Sequence, residues 1–382
     1  MIYFLRLFVS ITISIIIKTN LEGTKIMSRK RRLVMTGGGT AGHVMPNIAL
    51  LPELRSEDYL IAYIGSYDGI EKDLIKEQHL RYYGISSGRL RRYFSLENFT
   101  DPFRVIKGYG QAKKILKQLK PDVVFSKGGF VSVPVVVAAG HLNIPVIIHE
   151  SDMTPGLANK IAMRYASKIC CTFPETLKYI PEEKAVLTGT PIRAELVEGD
   201  RQKGYLSSGL KPNGKPVLLI VGGSTGAHNL NIAIREILPQ LLADFQIIHL
   251  CGAGKTDPHF EDIKDYVQME YAGSEMKDFL SLADIVVSRA GANAIFELLA
   301  LRKPNLLVPL SASASRGDQI LNARSFKESG YSEVMGEESI TPDSFLEAIK
   351  DLYARKDEYI ERMQKSELLD AIPKIVDLID TI

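Results

Sequence analysis

The chain has few cysteines, almost no net charge and no pattern typical of metal ligands. Three cysteines among 382 residues are too few for a disulfide framework, and two of them, Cys170 and Cys171, are adjacent in an apolar run. This usage is typical of a reduced cytoplasmic protein. Lysine and arginine number 47 against 45 acidic residues, so the overall charge does not favour a nucleic-acid partner. The sequence has no Asp-x-Asp pair and no metal-ligand spacing, and we expect neither a metal nor another cofactor.

The sequence also lacks an apolar run long enough to span a bilayer. The apolar run after Arg6 covers residues 7–17, whereas a spanning helix needs roughly 20 residues. The run is similar to a signal-peptide core, but no small-residue cleavage site follows it. Because Met27-Ser-Arg-Lys-Arg-Arg32 leads directly into a strand, we predict that translation starts at Met27. Residues 1–26 are then upstream sequence or a disposable tail.

Short apolar runs alternate with helical patterns along the rest of the chain, which is 45% apolar overall. This alternation predicts parallel sheets with helices on both faces. In the first half the predicted strands are residues 33–36, 60–64, 123–126, 146–149 and 168–171. The plan restarts at Val217, and the predicted strands of the second half are residues 217–221, 246–250, 267–271, 285–288, 305–308 and 332–335.

This self-similarity predicts an α/β protein of two Rossmann-like, doubly wound parallel-sheet domains that face a cleft. The predicted boundaries are residues 27–197 for the first domain and 216–382 for the second. The polar stretch 198–215 reads as a surface linker. We expect the last helices to pack back on the first domain.

A strand, a glycine turn, a helix and a second strand follow one another between Ile285 and Pro309. Such a crossover directs the free N–H groups of the first helical turn into the crevice where nucleotides bind. Glu297 falls about one turn inside the helix, where a carboxylate can accept two hydrogen bonds from a ribose. The alternative is a solvated glutamate on the helix surface.

The first glycine loop of the chain follows the first predicted strand, and Gly37, Gly39 and Gly42 have the G-x-G-x-x-G spacing of dinucleotide-binding folds. The match is weak, because Tyr63-Ile-Gly65 stands where such folds carry an acidic residue. His43 comes directly after the last glycine, at the edge of the predicted cleft. It is a candidate for contact with a reacting group, and the alternative is a histidine that faces water.

Basic and aromatic residues are interleaved over residues 81–107, where six basic residues are opposed only by Glu97 and Asp101. This pattern suits binding to an anionic membrane surface. Each Lys or Arg near the lipid contributes roughly 1 kcal/mol of binding free energy. The alternative places the aromatic residues in the core and the arginines in water. The predicted docking residues are Arg89, Leu90, Arg91, Arg92, Tyr93, Phe94 and Phe103.

Four motifs taken in order resemble the MurG family, the peptidoglycan N-acetylglucosaminyltransferases of the type-B glycosyltransferase fold. They are Thr36-Gly-Gly-Gly-Thr-Ala-Gly-His43, Gly128-Gly-Phe-Val-Ser-Val-Pro134, Gly222-Gly-Ser-Thr-Gly-Ala227 and Ser288-Arg-Ala-Gly291 through Glu297. The resemblance extends from Arg32 onward. It implies transfer of GlcNAc from UDP-GlcNAc to the MurNAc 4-hydroxyl of undecaprenyl-pyrophosphoryl-MurNAc-pentapeptide (lipid I), with inversion, to form lipid II.

For the donor, the resemblance implies that Ser224 and its loop hold the diphosphate and that Glu297 holds the ribose. Gln319 would contact the GlcNAc hydroxyls, Arg193 the phosphates, and the backbone near Ala272 the uracil. In the absence of a metal, helix dipoles, backbone amides and Arg193 are expected to neutralise the phosphates.

For the acceptor, the resemblance implies that Thr40, Ala41 and Gly42 line the cleft, with His43 beside the reacting hydroxyl. Asp152 occupies a position where many relatives carry Asn, and a carboxylate there would repel the donor phosphates. The family also implies a peripheral location on the cytoplasmic face of the cell membrane, with other cell-wall synthesis proteins as further partners.

The reaction needs a general base, and His43 and Glu150 are the two candidates at predicted strand ends. Histidine titrates near neutral pH and can accept and release a proton in each cycle, which favours His43. Glu150 is the alternative base, or a partner that orients the imidazole.

Other functions fit parts of the pattern. A non-hydrolysing UDP-GlcNAc 2-epimerase shares the double-Rossmann plan, and another UDP-sugar-dependent glycosyltransferase acting on membrane lipids shares the motifs. A nicotinamide-dependent oxidoreductase would explain the first glycine loop. The last alternative is a non-catalytic, membrane-associated sugar-nucleotide binder, which would bind UDP-GlcNAc but never release UDP.

Overall fold

The computed structural model describes residues 29–88, 97–223, 227–311, 317–366 and 368–382. The predicted tail 1–26, the docking residues Arg89 to Phe94 and the diphosphate-loop residue Ser224 lie outside these ranges.

The first half contains a seven-stranded sheet in the order β3-β2-β1-β4-β5-β6-β7, and every recorded pairing is parallel. The strands are β1 Arg32–Thr36, β2 Leu60–Ser66, β3 Arg81–Ile85, β4 Val123–Ser126, β5 Val146–Glu150, β6 Lys168–Cys171 and β7 Ala185–Leu187. The helices are α1 Met45–Ser56, α2 Ile70–Glu77, α3 Glu97–Leu119, α4 Ser132–His141 and α5 Leu157–Ala162, with 3₁₀ turns at Ala41–His43 and Pro174–Tyr179.

The second half contains a six-stranded parallel sheet in the order β10-β9-β8-β11-β12-β13. Its strands are β8 Val217–Val221, β9 Gln246–Leu250, β10 Tyr266–Met269, β11 Ile285–Ser288, β12 Asn305–Leu307 and β13 Glu333–Val334. The remaining helices are α6 Arg201–Ser208, α7 His228–Glu236, α8 Leu238–Asp244, α9 Met276–Leu282, α10 Ala292–Ala300, α11 Asp318–Glu328, α12 Pro342–Ala354, α13 Lys356–Gln364 and α14 Ala371–Thr381. The prediction of two doubly wound parallel sheets is confirmed.

Two strands of the first sheet were not predicted. β3 is an edge strand made from the start of the basic aromatic stretch, and Arg81, Tyr82 and Tyr83 along it are exposed or half-buried. The basic aromatic stretch therefore begins within the first sheet, and the predicted docking residues follow this strand. β7 has only three half-buried residues, too short a run to show a strand period.

The stretch predicted as a surface linker contains a helix, α6, that packs on the second half. Asp200 caps it by accepting hydrogen bonds from the N–H groups of Gln202 and Lys203 at 2.7 and 3.2 Å. Gly204 lies against α9, since a Cβ there would be 2.6 Å from the carbonyl oxygen of Asp278. The polar composition of residues 198–215 did not reveal this packing.

The core of the first half lies on both faces of its sheet. On one face the last helix of the chain, α14, packs against α1: Ile375 and Ile379 belong to the same buried cluster as Leu50 and Leu54. Burying each such side chain contributes about 1.5–3 kcal/mol. The last helix, α14, therefore helps to cover one face of the first sheet.

Aromatic side chains join the two halves. Phe173 follows β6 in the first half, is 1% exposed and packs within the buried cluster of the second half. Its ring centroid lies 5.3 Å from that of Phe296 on α10 and 6.3 Å from that of Phe326 on α11. This contact sets the position of α10 relative to the first sheet.

Candidate active site

A cavity of about 870 Å³ lies at the carboxyl ends of β1 and β4, where the strand order of the first sheet reverses. Ligands of open α/β sheets bind at this kind of switch point. The segments that follow β1, β2, β3, β4 and β5 line the cavity, and their lining residues include Gly38, Thr40, His43, Glu71, Gly129, Glu150, Asp152 and Asn159. Three predicted site residues, Thr40, His43 and Asp152, therefore share one cavity with the alternative base Glu150.

The first glycine loop is held by close packing and by a buried carboxylate. A Cβ on Gly129 would collide with the carbonyl oxygen of Gly38, so the two glycine loops of the first half touch through their backbones. The carboxylate of Glu71, on α2, accepts hydrogen bonds from the N–H groups of Gly39 at 3.1 Å and Ser66 at 2.9 Å. The sequence-based reasoning missed Glu71, although it follows β2 closely.

His43 lies in the 3₁₀ turn Ala41–His43 at the mouth of the cavity and is half-buried. Its Nδ1 is 3.0 Å from Oγ1 of Thr40. In the tautomer in which Nδ1 donates to this hydroxyl, Nε2 is the ring nitrogen that carries the acceptor lone pair. Thr40 and Ala41 are exposed and Gly42 is half-buried, which suits residues that line a cleft.

Glu150 is buried and holds the loop that follows β5. Its Oε1 accepts from the N–H of Asp152 at 2.9 Å, and its Oε2 accepts from the N–H of Gly156 at 3.0 Å and from Nδ2 of Asn159 at 2.9 Å. Both carboxylate oxygens are thus engaged with the loop. This geometry favours a role for Glu150 in shaping the cavity.

Glu297 and Arg193, predicted to bind one donor molecule, are adjacent in the structure. Glu297 lies on α10, and its Oε1 is 3.6 Å from Nη2 of Arg193. Burial raises the pKa of Glu297 above its ordinary value, and the guanidinium of Arg193 opposes that shift. Arg193 precedes the 3₁₀ turn Ala194–Glu198, and so reaches α10 from the junction between the halves.

The start of α10 faces the first glycine loop. Nδ2 of Asn293 donates to the carbonyl oxygen of Gly42 at 3.3 Å. The helix begins after Gly291, whose position carries no side-chain cap, so the first-turn N–H groups are available to a ligand. The contact brings the carboxyl end of β11 in the second half close to the carboxyl end of β1 in the first. Asn293 had not been singled out from the sequence.

Two other predicted donor residues, Gln319 and Ala272, also lie in the second half. Gln319 is in the first turn of α11, and its Oε1 accepts from the N–H of Leu310 at 3.1 Å, which ties it to the segment after β12. Ala272 lies between β10 and α9 and is half-buried. Nearby, Nη2 of the buried Arg289 is 2.6 Å from Oε1 of Glu337.

Of the predicted docking residues, Phe103 lies within the described ranges. It is 73% exposed on α3, and Ile106, one turn further, is 66% exposed. Across the described ranges, no helix is both long and apolar enough to cross a membrane. Within the same part of the chain, no group of three or more His, Cys, Asp or Glu side chains is arranged to hold a metal ion.

Comparison with known proteins finds a separate family match in each half of the chain. Residues 33–171 match the glycosyltransferase family 28 N-terminal domain, and residues 217–380 match the family 28 C-terminal domain. A protein of Lachnospira eligens is 62% identical over 349 residues, which cover 91% of this chain and 98% of the relative. A protein of Lachnoclostridium phytofermentans is 59% identical, covering 92% and 99%. Both are named UDP-N-acetylglucosamine–N-acetylmuramyl-(pentapeptide) pyrophosphoryl-undecaprenol N-acetylglucosamine transferase.

Solved structures agree with this result. The crystal structure of Acinetobacter baumannii MurG is 26% identical, with a TM-score of 0.72, covering 92% of this chain and all of that one. A UDP-GlcNAc 2-epimerase from Neisseria meningitidis has a TM-score of 0.65 at 14% identity, covering 93% of this chain and 100% of that one, and it shares the fold alone. The chain therefore belongs to the MurG family of N-acetylglucosaminyltransferases, with the two domains of glycosyltransferase family 28 and the type-B glycosyltransferase fold.

Proposed function

We propose that this transferase binds lipid I in the cavity of the first half and UDP-GlcNAc against the first turn of α10. GlcNAc then passes to the MurNAc 4-hydroxyl with inversion, and lipid II and UDP leave. The observation that carries this arrangement is the hydrogen bond from Asn293 to Gly42, because it brings the two candidate sites to opposite walls of one cleft.

On the donor side, Glu297 binds the ribose and Arg193 binds the diphosphate. Burial disfavours the charged carboxylate of Glu297, so hydroxyl donors from a ribose stabilise it more than they would in water. Arg193 lies 3.6 Å from Glu297, so its positive charge lies next to the phosphates that follow the ribose. Gln319 contacts the GlcNAc hydroxyls, Ser224 the diphosphate and the backbone near Ala272 the uracil.

The phosphates are neutralised without a metal in this proposal. The N-terminal turn of α10 offers free N–H groups and the positive end of the helix dipole. Arg193 adds a full positive charge. Together these groups stabilise the negative charge that develops on the departing UDP.

On the acceptor side, His43 is the general base. Thr40 fixes the imidazole through Nδ1, and Nε2 takes the proton of the 4-hydroxyl as it attacks the anomeric carbon from the face opposite UDP. Glu150 holds the cavity wall through its three hydrogen bonds. Thr40, Ala41 and Gly42 face the acceptor sugar.

The exposed side of α3 docks on the anionic cytoplasmic surface of the cell membrane. Phe103, Ile106 and Lys107 are exposed on it at helical spacing. Arg104, which lines the cavity, is their neighbour in sequence. The membrane surface therefore adjoins the mouth of the acceptor cavity, which suits an acceptor anchored by a lipid chain. Residues 89–94 extend the same basic and aromatic composition.

A coupled assay for UDP release tests the proposal. With UDP-GlcNAc alone we expect little release, and with a lipid I analogue we expect rapid release and a product that is heavier by one GlcNAc. Turnover of UDP-GlcNAc to an epimer without acceptor would overturn the proposal in favour of the epimerase. Binding of UDP-GlcNAc without release of UDP in either condition would leave only a binding function.

A further inference from the structure

The carboxylate of Glu71 fills a closed space beneath the first glycine loop. The residue is in the first turn of α2 and is fully buried. Glycines from three segments surround it. A Cβ on Gly38, after β1, would be 2.5 Å from Cδ of Glu71, and a Cβ on Gly65, in β2, would be 2.9 Å from its Cγ. A Cβ on Gly69, before α2, would collide with both carboxylate oxygens. Backbone therefore comes close to this carboxylate on three sides.

Both oxygens of the Glu71 carboxylate accept hydrogen bonds at the rim of the acceptor cavity. Oε2 accepts from the N–H of Gly39 at 3.1 Å. Oε1 accepts from the N–H of Ser66 at 2.9 Å and from the hydroxyl of the same residue at 2.5 Å. All three residues line the cavity. These donors, together with the positive end of the α2 dipole, stabilise a buried carboxylate.

The hydrogen bond to Gly39 holds the start of the turn that carries His43. Gly39 has a φ of +86°, in the left-handed region that glycine adopts most easily. Thr40 follows it, and its carbonyl oxygen accepts from the N–H of His43 at 3.1 Å, while its Oγ1 is 3.0 Å from Nδ1 of the imidazole. Residues 39–43 are exposed or half-buried, so apolar packing does little to fix them. Hydrogen bonds from the loop to the fold beneath it take on that task.

We propose that Glu71 is a positioning residue for His43: it holds the N–H of Gly39 so that the turn Ala41–His43 presents the imidazole to the acceptor hydroxyl. In this role Glu71 acts through Gly39 and Thr40 and exchanges no proton with the substrate. A shift of a catalytic group by about 1 Å can lower a rate by about 100-fold, so a fixed turn favours the reaction. This inference rests on the proposed role of His43 as general base.

Glu71→Gln tests this role with almost no change in side-chain volume. A glutamine has one acceptor oxygen and an NH₂ group, so the N–H of either Gly39 or Ser66 would face another donor. We expect kcat with a lipid I analogue to fall about 10- to 100-fold. The Kd for UDP-GlcNAc should not change, and KM for the acceptor should stay within about threefold of the wild-type value.

A double-mutant cycle with His43→Ala distinguishes positioning from a general defect of the cavity. If Glu71 acts through the imidazole, Glu71→Gln has no base left to misplace in the His43→Ala background, and it should lower kcat there by less than about twofold. A general defect would lower kcat by the same factor in both backgrounds. Multiplicative losses would therefore overturn the proposal. An unchanged kcat in Glu71→Gln, with or without a raised acceptor KM, would overturn it as well.

Asp278→Asn is the matched control. Asp278 lies on α9 in the second half, is 6% exposed, and its Oδ1 accepts from the N–H of Asp200 at 2.8 Å. It is thus another buried carboxylate that binds a backbone N–H. Its replacement by an amide should leave kcat and acceptor KM unchanged.

Glu71→Asp carries the same test if the glutamine variant does not fold, because the shorter side chain keeps the charge but not the reach to Gly39. If neither variant folds, the carboxylate is required by the whole domain and its specific role is refuted. His43→Ala alone separates this inference from the proposed function. A near-normal kcat in that variant would mean that His43 is not the base. A large loss in that variant, with a multiplicative or absent effect of Glu71→Gln, would mean that only the role of Glu71 has failed.

Discussion

Glu297→Ala should weaken UDP-GlcNAc binding without destabilising the fold. A charge-assisted hydrogen bond contributes roughly 1.5–3 kcal/mol, and the ribose makes two with this carboxylate. The substitution also frees Arg193, 3.6 Å away, to bind the phosphates more closely, which offsets part of the loss. We expect a net loss of about 1.5–3 kcal/mol, or roughly a 10- to 150-fold rise in Kd.

The free energy of unfolding of the unliganded protein should not fall in Glu297→Ala, although the donor affinity falls. The folded-state pKa of Glu297 is raised by burial, so its ionisation costs folding free energy as pH rises through and above the unfolded-state pKa. Removing the carboxylate should therefore leave the melting temperature at pH 7 unchanged or slightly higher. Below the unfolded-state pKa this advantage should vanish, because the carboxyl is neutral in both states.

Calorimetric titration of UDP-GlcNAc and thermal unfolding without ligand measure the two effects. Glu361→Ala is the control, because Glu361 is exposed on α13 and pairs with Lys365 at 2.7 Å, and a surface pair of this kind contributes about 0–1 kcal/mol. Unchanged donor affinity in a folded Glu297→Ala protein would refute the placement of the donor on α10. A fall of several degrees in the melting temperature would instead show that Glu297 is a structural residue.

Four further predictions follow from the site and the fold. His43→Ala should lower kcat roughly 10²- to 10⁴-fold with little change in UDP-GlcNAc affinity; near-normal kcat with a raised acceptor KM would make His43 a binding residue and return the search for the base to Glu150. Replacing Arg89, Arg91 and Arg92 together by Ser should weaken binding to anionic vesicles by a few kcal/mol and leave activity on a soluble acceptor analogue intact; equal vesicle binding at low and moderate salt would contradict a docking surface. Phe173→Ala should destabilise the protein by about 3–5 kcal/mol in denaturant unfolding, since the ring is buried between the halves; a loss below 1 kcal/mol would mean that this contact does not hold the halves together. Enzyme treated with EDTA should keep full activity, and recovery of lost activity by added Mg²⁺ would contradict metal-free neutralisation of the phosphates.

The sequence by itself determined the two sheets and the loops that carry the site. Strands such as Val217–Val221 are buried runs bounded by glycine turns, and this signal is local because strand period and turn chemistry depend on adjacent residues. The glycine loop at Gly37–Gly39 and the helix of Glu297 could be placed at strand ends for the same reason. The edge strands β3 and β7 were not predicted, because four of the five residues of β3 are exposed or half-buried and β7 is only three residues long.

Only the tertiary structure decided how these loops work together. The buried carboxylate of Glu71 under the glycine loop and the hydrogen bond from Asn293 to Gly42 join residues that come from separate strands or from opposite halves. Burial and electrostatic compensation depend on distances in space, and no local pattern in the chain encodes them. A buried glutamate such as Glu71 and an exposed one look the same in a sequence, and only the packing around them separates a solvated charge from one that holds a loop in place.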